Sequence, residues 1–171
     1  MVQDGMSTPF PLQDRERGSR SDYQSLAKQA KALLRDERDV IANSANFASL
    51  IYNGVRDINW AGFYFLRGND LVLGPFCGKP ACSRITMGKG VCGQAAVRRQ
   101  TIAVDDVRAF DGHIACDPVS RSEIVVPLVS AVALIGVFDV DSTRLARFTA
   151  NDKVGIENLV HDFLTMIDLQ G

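Results

Sequence analysis

Residues 58–76, INWAGFYFLRGNDLVLGPF, decide the fold. Two runs rich in β-branched and aromatic residues flank Gly68-Asn69-Asp70, the composition of a β-hairpin. Side chains alternate across a strand, so Ile58, Trp60, Gly62 and Tyr64 share one face and Ala61, Phe63 and Phe65 the other. The all-apolar second face predicts a core. The first face carries two amphipathic rings with a side-chain-free residue between them. With Phe63 and Phe65 already supplying the core, the Trp60 side is free to wall a small pocket.

Working outward, the flanks set the class. Upstream, Tyr23, Leu26, Ala30 and Leu33 recur at helical intervals behind capping-box spacing at Ser21 and Gln24. A second stripe runs through Val40, Ile41, Phe47, Ala48 and Ile51, and Asn53-Gly54 closes it. Downstream, residues 77–90 read as loop, VCGQAAVRRQ as a short helix and TIAVDDV as a short strand. The stretch to about residue 121 lacks periodicity and predicts a surface excursion. SEIVVPLVS and AVALIGVFDVDS form a second strand pair. Thr149 and Asp152 then cap a last helix whose apolar stripe is Ile156, Leu159, Val160, Phe163, Leu164 and Ile167. This order predicts an α+β fold, a mostly antiparallel central sheet with helices packed mainly on one face. Residues 1–20, rich in Pro, Gly, Ser and charge, read as a flexible tail, and 21–171 as a single domain.

Composition narrows the partners. Of 171 residues, 46% are apolar and 23% charged, ordinary for a globular domain. Twenty acids against 19 bases leave no electrostatic footprint for nucleic acid or an anionic membrane. No apolar run approaches a membrane span, and the first 20 residues hold no apolar h-region. The expected compartment is the cytoplasm, where cysteines are reduced, catalytic or metal-binding rather than structural cross-links.

Three acids stand out on the second strand pair. Glu123, Val125 and Pro127 share parity on one strand, and Ile135, Val137, Asp139 and Asp141 on the next. Aspartate is disfavoured in strands. The face is either solvated near the strand ends or a pocket floor for a cationic group. Crowded carboxylates raise one another's pKa, so one could stay protonated and serve as an acid.

The four cysteines, 77, 82, 92 and 116, are separated by 4, 9 and 23 residues, and none forms the CxxC pair of a structural zinc site. The two histidines are His113 and His161, the latter on the polar side of the last helix. Cys77 ends a strand and reads as a packed thiol. Cys82, Cys92 and Cys116 lie in or beside loops, and Cys116 sits in a polar run with His113, Asp117 and Ser120. A nucleophilic thiol with resolving thiols in reach is a redox arrangement. No P-loop, GxGxxG, HExxH or GxSxG occurs.

Together, NWAGFYFL, LGPFCGKPAC, GKGVCGQAA, GHIACD, SEIVVPLV and IGVFDVDS resemble the free methionine-(R)-sulfoxide reductases, single GAF domains that act on the free amino acid. The likeness runs from about residue 23 to the end. Asp111 stands where that family would have a proline. The resemblance implies Cys116 as nucleophile, Cys82 and Cys92 as its partner thiols, and Trp60, Tyr64, Glu123, Asp139 and Asp141 as substrate contacts. It implies that the carboxylates hold the substrate ammonium, that Trp60 packs on its methyl, and that backbone N–H groups at Ile114–Cys116 meet its carboxylate. Glu123 or Asp141 is the expected acid, Cys82 or Cys92 the resolving thiol, thioredoxin the reductant. No bound cofactor and no metal are expected, and His113 reads as an ordinary loop histidine. The N-terminal helices offer a surface for pairing two copies as a homodimer. The alternative is a ligand-sensing GAF domain without catalysis. A passive sensor needs no resolving thiols, and an acidic floor would repel a cyclic nucleotide's phosphate.

Overall fold

The structure, a computed structural model, describes residues 22–112, 114, 116–131 and 133–168. Two helices come first, α1 (Tyr23–Leu34) and α2 (Val40–Gly54). The hairpin follows as β1 (Trp60–Arg67) and β2 (Asp70–Gly78), then β3 (Arg84–Thr86), α3 (Gly90–Arg98) and β4 (Ile102–Val104). A 3₁₀ turn at Val107–Ala109 precedes β5 (Ser122–Ser130), β6 (Ala133–Ser142) and α4 (Ala150–Leu164). The strands make one antiparallel sheet in the order β3-β2-β1-β6-β5-β4. β1, the strand that opened the sequence argument, is therefore central. Its turn is the two-residue loop Gly68-Asn69, with Gly68 at φ 62°, where a type II′ turn requires glycine.

α1, α2 and α4 cover one face, as the fold reading requires. Leu26, Phe47, Phe63, Phe138, Val140 and Phe163 fill the space between them and the sheet. The rings of Phe63 and Phe138 lie 4.7 Å apart and those of Phe47 and Phe163 4.9 Å apart. Each such ring contributes about 1.5–3 kcal/mol by leaving water. The other face carries Trp60, Tyr64, Val125 and Val137 and is covered by α3 and the loops around it.

Several expectations are corrected. Asp22 caps α1, accepting the Ser25 N–H at 3.0 Å, in place of the Ser21–Gln24 box; Ser21 lies outside the described residues, as does the 1–20 tail. Leu34, four residues beyond Ala30, is the fully buried end of that stripe, while Leu33 is only partly buried. Ile41 is 55% exposed, because one helical step from Val40 turns it outward. Gly54 ends α2 without a left-handed cap, and its missing Cβ makes room for Leu26. Ile58 precedes β1 and packs into the main core instead of beside Trp60. Ile135 does the same, because the β5–β6 pairing shifts register between Leu128 and Val129 and a bulge redirects that side chain. Residues 77–90 are not all loop: β2 runs to Gly78 and β3 follows. β3 has only Ile85 buried between exposed Arg84 and Thr86, too short a strand to show a period.

The capping box at Thr149 and Asp152 is present, and it is also a tertiary clasp. Asp152 accepts from Tyr23 Oη at 2.7 Å and from the Thr149 N–H at 2.8 Å, and pairs with Arg147 at 3.1 Å. Burial pushes its pKa up, but the hydrogen bonds from Thr149 and Tyr23 and the Arg147 charge outweigh that and hold it below the ordinary value. Asp152→Ala is expected to cost about 3 kcal/mol in urea unfolding at neutral pH, because it removes the carboxylate that Tyr23, Thr149 and Arg147 share and leaves the part-buried Tyr23 hydroxyl without its acceptor. The aspartate's depressed pKa puts its contribution above the ordinary carboxylate range, so the loss should shrink as pH falls through that pKa.

Candidate active site

The site forms where three central strands present their Trp60-side residues to α3 and two cysteine loops. Register places Trp60 opposite Asp141, Gly62 opposite Asp139 and Glu123 opposite Asp141. A Cβ on Gly62 would lie 2.6 Å from the Trp60 ring, so only glycine lets that ring lie flat over the sheet. Trp60 stacks with Tyr64 at 5.9 Å and with Phe76 at 5.4 Å. Its Nε1 donates to the Lys79 carbonyl at 3.1 Å.

The floor is acidic and buried. Glu123 and Asp139 are each 6% exposed, which removes the solvated-strand reading for both, and Asp141 is partly exposed at the pocket side. Cys92 descends from α3, its Sγ donating to Glu123 Oε1 at 3.8 Å. Asp139 Oδ1 is buried without a hydrogen-bond partner. Burial, then the charges of Asp139 and Asp141, push Glu123 well above the usual carboxylate range. Burial, then Asp139 and Asp117, do the same to Asp141. Burial pushes Asp139 up to about 7, against hydrogen bonds with Cys92 and Glu123 that pull it down. Burial and the same acids raise the Cys92 thiol and the Tyr64 phenol. The carboxyls of the cluster are therefore shifted toward their protonated forms, which suits them to giving an acid proton.

Above the floor, Cys82 and Cys116 are joined by a disulfide, Sγ–Sγ 2.03 Å. Both loops are tied to β1 and its entry. Tyr64 Oη donates to the Cys82 carbonyl at 3.0 Å, and Asn59 Nδ2 reaches Ser120 Oγ at 3.1 Å and Asp117 Oδ2 at 3.3 Å. The pocket spans about 540 Å³ including the solvent at its mouth, and among the described residues no lysine or arginine lines it.

The residues singled out in sequence thus meet. Trp60, Tyr64, Cys92, Cys116, Glu123, Asp139 and Asp141 line one pocket, and Cys82 joins through its bridge. Cys77, next to the end of β2, is a free, half-buried thiol outside that lining. His161 is exposed on α4. His113 and Ala115 lie outside the described residues. The Cys116 N–H, one of the loop donors considered for a substrate carboxylate, already donates to the Ile114 carbonyl at 3.0 Å. Asn59 was not found from sequence. Its only signal was its place beside Trp60 at the start of a strand. Among the described residues no helix is long and apolar enough to cross a membrane.

Comparison with known proteins agrees with this geometry. The GAF domain family matches residues 42–168. The chain is 51% identical over 138 residues to the free methionine-R-sulfoxide reductase of Escherichia coli K12, covering 81% of this chain and 84% of that one. The enzyme of the same name from Saccharomyces cerevisiae is 46% identical, with 70% and 71% covered. The structure of free methionine-R-sulfoxide reductase from Neisseria meningitidis in complex with its substrate superposes with a TM-score of 0.82 at 42% identity, covering 86% of this chain and 92% of that one. The GAF match over most of the chain and the extent of these identities make this protein a member of the free methionine-R-sulfoxide reductase family of GAF domains.

Proposed function

We propose that the protein reduces free L-methionine-(R)-sulfoxide to methionine using its own thiols. One observation carries this reading: a Cys82–Cys116 bridge closes over a pocket with a floor of three buried carboxyls and, among the described residues, no lysine or arginine in its lining. A free amino acid brings the ammonium such a floor needs, whereas a methionine within a peptide does not. Its methyl packs on Trp60.

With the bridge reduced, the Cys116 thiolate attacks the sulfoxide sulfur. The sulfoxide oxygen takes a proton from Glu123 or Asp141, the new S–S bond and the S–O bond to the methionine sulfur then break, and the hydroxyl passes to Cys116, giving methionine and a sulfenic acid. The Cys82 thiol then displaces that hydroxyl as water and restores the disulfide. Cys82, bridged to Cys116, is the resolving thiol in this scheme, and Cys92 stays protonated against Glu123. A thioredoxin dithiol reopens the bridge by exchange and leaves oxidised. The steps need no bound cofactor or metal, and a reducing compartment such as the cytoplasm supplies the reductant. Pairing of two copies through the N-terminal helices is supported by Ile41 and Tyr52, three turns apart on α2 and both exposed.

The test is NADPH consumption coupled through thioredoxin and its reductase. Only the free R epimer is expected to turn over. N-acetylation, which removes the ammonium, should lower kcat/KM by about 100-fold or more. Turnover of neither epimer, with thiols confirmed reduced, would favour the ligand-sensing GAF alternative.

A further inference from the structure

The cysteine spacings gave no zinc site, but the fold assembles a donor set that spacing rules cannot see. Cys92 comes from α3, Glu123 from β5 and Asp139 from β6, and one ligand atom of each lies within 4.8 Å of the others. The ligand atoms of a tetrahedral zinc stand about 3.3–3.7 Å apart. The Cys92–Glu123 separation of 3.8 Å is nearly there already. All three residues are buried, and Asp139 Oδ1 lacks any partner. Among the described pocket-lining residues nothing cationic answers them. The strand pairing that sets Val125 opposite Asp139 also fixes Glu123 and Asp139 two residues apart across β5 and β6, so the set is preformed.

We propose that this floor is a binding site for a soft divalent cation, Zn²⁺, ligated by Cys92 Sγ and one carboxylate oxygen each of Glu123 and Asp139, with the fourth position open to the pocket. A thiolate and two carboxylates suit Zn²⁺ and reject Mg²⁺ and Ca²⁺, which take oxygen alone. Ligation displaces to solvent the thiol proton and the protons carried by Glu123 and Asp139, and makes no other bond change. The site exists with the Cys82–Cys116 bridge closed, so it does not depend on the redox thiols. The metal occupies the seat assigned above to the substrate ammonium, so it acts as a reversible competitor. That last consequence, unlike the site itself, rests on the proposed function.

The experiment uses the full chain in a Cys77→Ser background with the bridge closed, so that Cys92 is its one free thiol. Equilibrium dialysis against ZnCl₂ alone should give one zinc per chain, and Cd²⁺ should give a thiolate-to-metal absorption band. Cys92→Ser and Asp139→Asn, both close to isosteric, should each weaken binding by about 100-fold and abolish or weaken the band. Their thermal unfolding confirms that they fold. Saturating free methionine-(R)-sulfoxide should release the metal. No stoichiometric zinc, or zinc retained at full affinity by both variants, overturns the site. Zinc that stays bound in saturating substrate overturns the shared seat. Turnover is measured separately in chelator, so failure of the proposed reaction reads independently of failure of the metal site.

Discussion

Cys116→Ser is expected to lower turnover by at least about 1,000-fold, whereas Cys82→Ser should keep one round of chemistry. The two sulfurs share a bond and cannot be told apart by it. Their surroundings differ. Cys116 lines the pocket above the acids, and Cys82 reaches it only through the bridge, its carbonyl held from behind by Tyr64. A serine at 116 removes the attacking thiolate, so no methionine forms. A serine at 82 leaves attack intact and stalls the chain as a sulfenic acid. Rapid quenching of reduced protein should give one methionine per chain for Cys82→Ser, with dimedone trapping one sulfenic acid at Cys116, and none for Cys116→Ser. A burst from Cys116→Ser would move the nucleophile elsewhere.

Asp139→Asn should stabilise the substrate-free protein while destroying its affinity. Asp139 sits at about 7 in the folded chain because it is buried, well above its ordinary value in an unfolded one. Between those two values the native state keeps a proton that the unfolded state gives up. Stability therefore falls as pH rises from about 4 to about 7, and the full penalty stands above that. Asparagine fits the same space without the charge. At mildly alkaline pH we expect a gain of about 2 kcal/mol, a rise in Tm of about 4–8 °C for a domain of this size. The advantage should vanish below about pH 4, where both states of the parent are protonated. Substrate affinity should drop by about 100-fold or more as the ammonium loses its partner. Thermal unfolding across that pH range, with and without substrate, reads both effects. A variant less stable than its parent above pH 7 would overturn the account of the floor.

Much of this was legible because the sheet alternates cleanly at its centre. Phe63 and Phe65 against Trp60 and Tyr64 divided β1 into a core face and a pocket face, and the structure keeps that division. Asp139 and Asp141 were conspicuous because central strands rarely hold acids. What was not legible lies where period fails. Ile135 sits at a bulge, Ile58 just outside a strand, and β3 spans three residues. The grouping of Cys92 with Glu123 and Asp139 joins residues up to 47 positions apart on three elements, and only packing brings them together. Asn59 carried no chemical signal of its own, since its role is to hold backbone-distant Asp117 and Ser120.

The ties from β1 to the two cysteine loops reach past the bond between them. Trp60 and Tyr64 hold the Cys82 loop, and Asn59 holds the Cys116 loop, through atoms that the bridge does not use. None of those ties needs the bond, so on opening of the bridge the second thiol is expected to stay at a high effective concentration beside the first. Ring closure is then expected to outrun encounter with peroxide. A protein built to meet oxidised molecules thereby limits its own overoxidation: the sulfenic acid is consumed before it can climb to the sulfinic state, from which a thiol reductant offers no return.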